Sequence, residues 1–164
     1  MLRRCLYRFI LYKGMNKKIL LIEDLPDKAK AIIDVIRYHF PNLEIDQRTS
    51  YHTAIETVLR HYDDYSLVLL DMTMSTYDEN EDETGGEPEV VAGKRILERM
   101  FMRDIPLKVK VVTMYESFDG QRIRDLDKEL KKVSPDNYDG YIFFSFDKNE
   151  WKQELESYIK KYYD

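Results

Sequence analysis

The chain has 164 residues, of which 43% are hydrophobic and 13% aromatic, so it has the length and composition of one domain with a packed interior. Its net charge of −5 argues against a general nucleic-acid-binding protein, because affinity for a phosphate backbone comes from clustered lysine and arginine. The single cysteine, Cys5, excludes an internal disulfide framework and a cysteine-rich zinc site, and a cytoplasmic location is therefore expected.

The first 14 residues are basic and apolar. Arg8 interrupts this stretch, which is too short to span a bilayer, and no small-residue cleavage site follows it. We interpret residues 1–14 as an upstream extension, Met15 as the natural start and residues 15–164 as the folded domain. A membrane-surface anchor or a partner-binding segment is the alternative interpretation of the extension.

From Lys17 onward, short apolar runs alternate with segments of helical periodicity, a pattern that predicts an α/β fold of five strands and five helices. The predicted strands cover residues 19–22, 43–47, 67–70, 109–113 and 141–144. The predicted helices cover residues 26–40, 51–59, 90–103, 119–132 and 151–159, with Pro26 in the first turn of the first and Ser50 as N-cap of the second. In the third helix, Met100 and Phe101 are among the residues expected to face inward.

Most of the predicted strands are continuous apolar runs, as expected of parallel strands that are buried on both faces. Parallel strands joined by helices need right-handed crossovers, which place helices on both faces of one sheet. Ligands of such folds bind beyond the carboxyl ends of the central strands, so we expect any functional site to lie at that edge.

Three acidic residues and a hydroxyl follow the predicted strands: Glu23 and Asp24 after the first, Asp71 at the end of the third, and Thr113 at the end of the fourth. Carboxylates brought together repel one another and raise one another's pKa values unless a divalent cation lies among them. Mg²⁺ is a hard cation that prefers oxygen ligands and keeps several waters. This arrangement leaves one aspartate carboxylate oxygen free to attack a phosphoryl donor, while the metal neutralises charge on the transferred group.

Residues 17–162 resemble the receiver domains of response regulators. Those domains have an acidic pair after the first strand, matched by Glu23 and Asp24, and an acceptor aspartate at the end of the third strand, matched by Asp71. Their fourth strand ends in serine or threonine, matched by Thr113. Each motif is short, and the resemblance depends on the ordered set at the ends of successive strands.

The resemblance implies a flavodoxin-like (βα)5 sandwich of three layers, with a parallel sheet in the strand order 2-1-3-4-5. It implies that Asp71 accepts the phosphoryl group. It also implies that Mg²⁺ is held by Glu23, Asp24, Asp71 and the backbone carbonyl of Thr73.

Further roles come from the same resemblance. Thr113 would contact the phosphoryl group and couple phosphorylation to a surface rearrangement, and Tyr141 would be the aromatic switch residue. Such a domain is a phosphoacceptor in a two-component phosphorelay and not a classical enzyme, since its own activities are self-phosphorylation and autodephosphorylation. The expected partners are a histidine kinase or phosphotransfer protein and a downstream protein, without nucleic acid or membrane, and the expected state is a monomer or weak homodimer. The overall pattern resembles standalone receivers, without an output domain, of two-component-like bacterial defence systems.

Three features depart from the family pattern. The family has a lysine at the end of the fifth strand, where this chain has Phe144, and the nearest lysine in the sequence is Lys148 in the following loop. Two unit charges about 4 Å apart interact by roughly 4 kcal/mol at an effective dielectric constant of about 20, so a missing cation bears on the retention of a phosphoryl group.

Met114 stands where the family has a small residue. Its bulky side chain should narrow the access of water or phosphodonors to the site and slow dephosphorylation. An acidic insertion at residues 75–88 is interpreted as a solvated loop, with a lid or docking surface as the alternative.

Two other classes of function stay open from the sequence. A degenerate receiver would act as a phosphorylation-independent protein-binding module, which the loss of the strand-five lysine favours and the three retained carboxylates oppose. An unrelated flavodoxin-like domain that binds a nucleotide or flavin would need a glycine-rich first turn, which the sequence lacks.

Overall fold

A five-stranded parallel sheet forms the centre of the protein. The computed structural model describes residues 18–78, 86 and 88–163, so the predicted extension 1–14, the proposed start at Met15 and residues 79–85 and 87 of the acidic insertion lie outside the described residues. The strands are β1 (Lys18–Ile22), β2 (Ile45–Arg48), β3 (Tyr65–Leu70), β4 (Met74–Ser75), β5 (Pro88–Glu89), β6 (Lys108–Thr113), β7 (Ser117–Phe118), β8 (Gln121–Arg122) and β9 (Tyr138–Phe143). The helices are α1 (Pro26–His39), α2 (Tyr51–His61), α3 (Ala92–Met102), α4 (Ile123–Val133) and α5 (Glu150–Tyr163), and a short 3-10 helix covers Tyr62–Asp64.

The sheet has the strand order β2-β1-β3-β6-β9, and each neighbouring pair is parallel. Numbered among these five strands alone, the order is 2-1-3-4-5, so the predicted fold class and sheet topology are confirmed. The register pairs Ile22 with Leu70 and Leu70 with Val111. The residues that follow β1 and β3 therefore emerge side by side at one edge of the sheet.

Helices cover both faces of the sheet, and each face has its own hydrophobic cluster. Successive strand residues point to opposite faces, so Leu20 and Leu70 belong to one cluster whereas Leu21 and Leu69 belong to the other. Residues of α2, α3 and α4 complete the first cluster, and residues of α1 and α5 complete the second. Full burial of one such leucine stabilises the fold by about 1.5–3 kcal/mol, so the two clusters fix the relative positions of the strand ends.

Local sequence explains where two of the helices begin. Pro26 lies in the first turn of α1, where an N–H group would have no partner within the helix. Ser50 is the N-cap of α2, and its Oγ accepts a hydrogen bond from Thr53 N at 3.2 Å. Both predicted helix starts are confirmed.

Within the described ranges, none of the helices combines the length and hydrophobicity that crossing a membrane requires.

Two small antiparallel hairpins add to the predicted strands. β4 pairs with β5 at the two ends of the acidic insertion, and β7 pairs with β8. The turn between β7 and β8 is formed by Asp119 and Gly120, which have φ values of 47° and 79°. Two successive residues at positive φ are typical of a type I′ hairpin turn. The predicted helix start at Asp119 is therefore wrong, and α4 begins at Ile123 after the hairpin.

The predicted burial of Phe101 is also wrong. Phe101 is 47% exposed, whereas Ile96, Leu97 and Met100 of the same helix are buried. Phe101 lies in the last turn of α3, and its position one residue beyond Met100 rotates its side chain by about 100° from that of Met100.

β9 begins three residues before its predicted start and ends one residue before its predicted end. A register irregularity between β6 and β9 coincides with Gly140, which has a φ of 86°. A glycine in this conformation allows a strand to bulge, and it interrupts the apolar pattern from which the strand is predicted. Phe144 lies just beyond the strand, and its N–H donates to Thr113 O at 2.7 Å.

Candidate functional site

Three carboxylates meet at the carboxyl edge of the sheet. Glu23 and Asp24 follow β1 and Asp71 follows β3, and one oxygen of each lies within 4.8 Å of the other two. The exposed fraction is 1% for Glu23 and 4% for Asp71, while Asp24 is half-buried. Several carboxylate oxygens this close together form the kind of ligand set that Mg²⁺ prefers.

Backbone hydrogen bonds hold the two buried carboxylates in place. Asp71 N donates to Ile22 O at 2.9 Å, which joins the loop after β3 to the end of β1. Asp71 Oδ1 accepts from Met72 N at 2.8 Å, and Glu23 Oε1 accepts from Leu25 N at 2.9 Å. One oxygen of each carboxylate is thus oriented by the main chain, and the other oxygen is directed to a different partner.

Asp24 connects the acidic group to the hairpin that bounds the insertion. Its Oδ2 accepts hydrogen bonds from Ser75 N at 3.0 Å and from Ser75 Oγ at 3.3 Å. Ser75 lies in β4, which pairs with β5 on the far side of the insertion. The root of the insertion is therefore attached directly to one of the three carboxylates.

A lysine of α1 lies inside the acidic group. Lys28 is fully buried, and its Nζ lies 2.6 Å from Glu23 Oε2 and 3.1 Å from Asp71 Oδ2. The same ammonium donates to Val112 O at 2.8 Å, so three acceptors surround its three protons. The sequence predictions do not include Lys28. A signal for it exists, because Lys28 precedes Ile32 and Ile36 at intervals of four and so continues the buried stripe of α1.

Phe144, which the resemblance aligns with the lysine at the end of the fifth strand, is a core residue. Its side chain is 1% exposed, and the centre of its ring lies 4.6 Å from that of Trp151 and 4.9 Å from that of Phe146. The Lys28 ammonium lies 6.0 Å from the centre of the Phe144 ring, at the outer limit of a cation–π interaction. Lys148 is exposed. The site thus contains a cation, and that cation comes from α1 and not from the end of β9.

One ammonium does not balance the charge of this group. Burial raises the pKa of Glu23 to about 7, and the negative charge of Asp71 adds to this rise while Lys28 opposes it. Burial also raises the pKa of Asp71 above its usual range, and Lys28 opposes this shift too. Among the residues that the structure describes, three carboxylates beside one ammonium leave an excess of negative charge, so the residues present fit a divalent cation.

Thr113 ends β6 and is fully buried. Its Oγ1 accepts a hydrogen bond from Tyr115 N at 3.1 Å, which leaves its own hydroxyl proton for donation. Met114 packs against the cluster formed by α1, α5 and the sheet. The contact of Thr113 with a phosphoryl group stays a prediction, as does the effect of Met114 on the access of water or phosphodonors to the site.

The structure places the two remaining predicted residues without testing their roles. Thr73 lies between β3 and β4, and its Oγ1 donates to Val90 O at 2.9 Å. Tyr141 lies in β9, where it pairs with Val111 and packs, half-buried, against the cluster on the face of α2, α3 and α4. The metal contact of the Thr73 carbonyl and the switch role of Tyr141 stay predictions.

A parallel sheet of this order with an acidic group at its carboxyl edge defines the receiver-domain class. No family model matches the chain. The chain is 30% identical over 149 residues to the Detocs response regulatory protein DtcB of Enterobacter cloacae, and the match covers 88% of this chain and 97% of DtcB. The chain therefore belongs to the response-regulator family, and its fold is that of a receiver domain.

Solved structures agree with this fold. The signal receiver domain of a Luxo repressor protein from Vibrio parahaemolyticus superposes with a TM-score of 0.62 at 17% identity, covering 91% of each chain. The receiver domain of the sensor histidine kinase PA1611 from Pseudomonas aeruginosa, which has a magnesium ion coordinated in its active site cleft, superposes with a TM-score of 0.59 at 16% identity. That match covers 90% of this chain and 97% of the PA1611 domain.

Proposed function

We propose that this protein is a response-regulator receiver that accepts a phosphoryl group on Asp71 with Mg²⁺. The observation that carries the proposal is the buried Asp71 carboxylate, one oxygen of which lies within 4.8 Å of oxygens from Glu23 and Asp24. Buried carboxylates with raised pKa values at the ligand-binding edge of a parallel sheet are typical of a functional site. The 30% identity to a response regulatory protein supports the same function.

The proposed transfer takes its proton from the donor and needs none from this chain. An oxygen of Asp71 attacks the phosphorus of a phosphohistidine whose other ring nitrogen is protonated, an O–P bond forms, and the N–P bond breaks with its electron pair returning to the ring nitrogen, so that a neutral imidazole leaves. The product is an acyl phosphate, which is more negative than the carboxylate that it replaces. Catalysis of such a transfer consists mainly of positioning and charge stabilisation, and the hydrogen bond from Met72 N to Asp71 Oδ1 contributes positioning.

Glu23, Asp24, Asp71 and the backbone carbonyl of Thr73 would hold Mg²⁺, which supplies positive charge for the transferred group. The chain itself supplies the Thr113 hydroxyl, whose proton is available for donation to a phosphoryl oxygen. Removal of that hydroxyl in Thr113→Val should shorten the lifetime of the acyl phosphate or weaken its effect on a partner.

We place the protein in a two-component-like bacterial defence system, with a histidine kinase or phosphotransfer protein as donor. The similarity to the Detocs protein DtcB supports this placement. The phosphorylated domain would then signal to a partner through the surface around Thr113 and Tyr141, or it would buffer the pathway by taking up phosphoryl groups. Its activities would be limited to self-phosphorylation and autodephosphorylation.

Intact-mass analysis after incubation with acetyl phosphate and Mg²⁺ tests the phosphoacceptor function. We expect one phosphoryl adduct on the wild-type protein, dependent on Mg²⁺ and lost in Asp71→Ala. An adduct that persists in Asp71→Ala would show that another residue accepts the group. The same measurement with the cognate histidine kinase covers the case of a receiver that does not react with small donors.

A phosphorylation-independent binding module is the second candidate, and one observation favours it. Lys28 already pairs with Glu23 and Asp71, and Ser75 already donates to Asp24, so the acidic group has partners before any phosphoryl group arrives. If neither acetyl phosphate nor the cognate kinase modifies the protein in the presence of Mg²⁺, this function replaces the first.

A further inference from the structure

We infer that Lys28 supplies, from α1, the positive charge that stabilises the phosphoryl group on Asp71, in place of the strand-five lysine that this chain lacks. This inference rests on the proposed phosphoacceptor function. Among the ion pairs formed by the described residues, the partner of Asp71 is Lys28, at 3.1 Å between Nζ and Oδ2. An ammonium in contact with the acceptor carboxylate is placed to contact the group that the carboxylate receives.

The Lys28 ammonium is held in a fixed position. Glu23 Oε2 binds it at 2.6 Å and Val112 O at 2.8 Å, and the whole side chain is excluded from solvent. A charge that is already oriented in a dry site stabilises developing negative charge without reorganisation during the reaction. Glu23 therefore acts on Asp71 in two ways, as a neighbouring carboxylate and as an anchor for the cation.

Phe144 explains why, within the described part of the chain, the cation comes from α1 and not from the end of β9. Its ring fills the space beside the Lys28 side chain and packs against Trp151 and Phe146. A lysine at position 144 would bring a second ammonium next to the first in a buried region, where like charges repel and each loses hydration. The chain thus has a buried hydrophobic residue where the family has a cation, and a buried cation on the neighbouring helix.

Two opposite effects of Lys28→Met separate this role from a merely structural one. The variant removes a positive charge from the ligand group, so Mg²⁺ should bind at least about threefold more tightly. It also removes the cation from the phosphoryl site, so the affinity for beryllofluoride, a mimic of the phosphoryl group, should fall by about 10- to 100-fold, the loss typical of a hydrogen bond between charged groups. A variant that only disturbs folding would weaken both kinds of binding.

The experiment combines calorimetry of Mg²⁺ binding, ¹⁹F NMR titration with beryllofluoride, and intact-mass analysis with acetyl phosphate. Lys110→Met is the matched control, because Lys110 is a partly buried lysine whose Nζ donates to Asp139 O and not to the acidic group. Lys148→Met tests the lysine nearest to Phe144 in the sequence. We expect both controls to behave as the wild type.

The outcomes distinguish this inference from the proposed function. If the wild type forms an adduct and Lys28→Met forms and keeps it equally well, the inference is wrong and the phosphoacceptor function stands. If the wild type forms no adduct with any donor, the phosphoacceptor function itself is wrong. Should Lys28→Met not fold, a crystal structure of the wild type with Mg²⁺ and beryllofluoride decides the question, since Lys28 Nζ must then lie within hydrogen-bonding distance of a fluorine.

Discussion

Glu23 and Asp71 share one ammonium, because Lys28 Nζ lies 2.6 Å from Glu23 Oε2 and 3.1 Å from Asp71 Oδ2. Both carboxylates are buried, and burial raises the pKa of each despite the shared cation. Protonation of the acidic group and the proposed binding of Mg²⁺ to it would therefore be two ways of relieving the same excess of negative charge.

The Mg²⁺-free protein should lose stability as the pH rises from 4.5 through about 7, the interval over which folding shifts the pKa of Glu23. Within this interval the folded protein retains a proton that the unfolded chain has released, so the free energy of unfolding falls with rising pH. One pKa unit corresponds to about 1.4 kcal/mol, and we expect a loss on the order of 1–3 kcal/mol. Urea denaturation in EDTA at a series of pH values measures this loss. Glu23→Gln cannot ionise and should flatten the curve, and an unchanged slope in that variant would assign the effect to another group.

Mg²⁺ should stabilise the wild type, most strongly above pH 7, because burial raises the pKa of Glu23 to about 7 and its carboxylate is ionised above that pH. A ligand present at 100 times its Kd and bound only by the folded state adds about 2.7 kcal/mol to the free energy of unfolding. Asp24→Asn should reduce this gain, because it weakens one of the three carboxylates proposed as Mg²⁺ ligands. Asp27→Asn is the control, since Asp27 is an exposed neighbour in α1. Thermal unfolding with and without Mg²⁺ checks the prediction, and an equal gain in Asp24→Asn and wild type would place the metal elsewhere.

Gly93 in α3 should not tolerate a side chain. A Cβ at this position would lie 2.7 Å from Asp71 O and 2.9 Å from Met72 Sδ, and Gly93 N donates to Met72 O. We expect Gly93→Ala to destabilise the protein by about 1–3 kcal/mol, as overpacking typically does, and to weaken Mg²⁺ binding because the backbone at Asp71 must shift. Arg99→Ala, on the exposed side of the same helix, should change stability by less than about 0.5 kcal/mol. If Gly93→Ala has the stability and the Mg²⁺ affinity of the wild type, α3 can move away from Asp71 at no cost in free energy, and the prediction is wrong.

Asn137 should be sensitive to a change that preserves its shape. It is buried, and its Nδ2 donates to Ile105 O at 2.6 Å and Leu107 O at 2.9 Å. Asn137→Asp places carboxylate oxygens against these two carbonyl oxygens, and we expect a loss of about 2–4 kcal/mol at neutral pH. Asn149→Asp is the matched control, because Asn149 is exposed just before α5, where aspartate and asparagine cap a helix equally well. Urea denaturation compares the two variants, and losses of equal size would contradict the proposed role of the buried amide.

The sheet and its functional edge follow from the sequence because buried parallel strands leave continuous apolar runs. The predicted segments 19–22, 67–70 and 109–113 lie within β1, β3 and β6. Short elements leave no such pattern, and β7 and β8 have two residues each. Their turn at Asp119 and Gly120 is the kind of dipeptide that favours a hairpin. The helical spacing of apolar residues from Ile123 onward nevertheless leads to a predicted helix start at Asp119, in the hairpin turn and not after the hairpin.

Comparison with the family position by position cannot show that a side chain from another element reaches the site. Phe144 at the expected lysine position predicts that the site has no cation. In the structure, the long Lys28 side chain on the buried stripe of α1 supplies that cation. A lysine in register with Ile32 and Ile36 is a recognisable signal, because a lysine is almost never fully buried unless its charge has a partner.

Trp151 is the single tryptophan of the chain, and its ring is the neighbour of Phe144, which in turn borders the Lys28 side chain. Indole fluorescence responds to nearby charge and to the packing of adjacent rings. The protein therefore carries an intrinsic optical probe one aromatic ring away from the proposed acceptor site. Stopped-flow emission of the unlabelled molecule should then follow the arrival and departure of a phosphoryl group in real time.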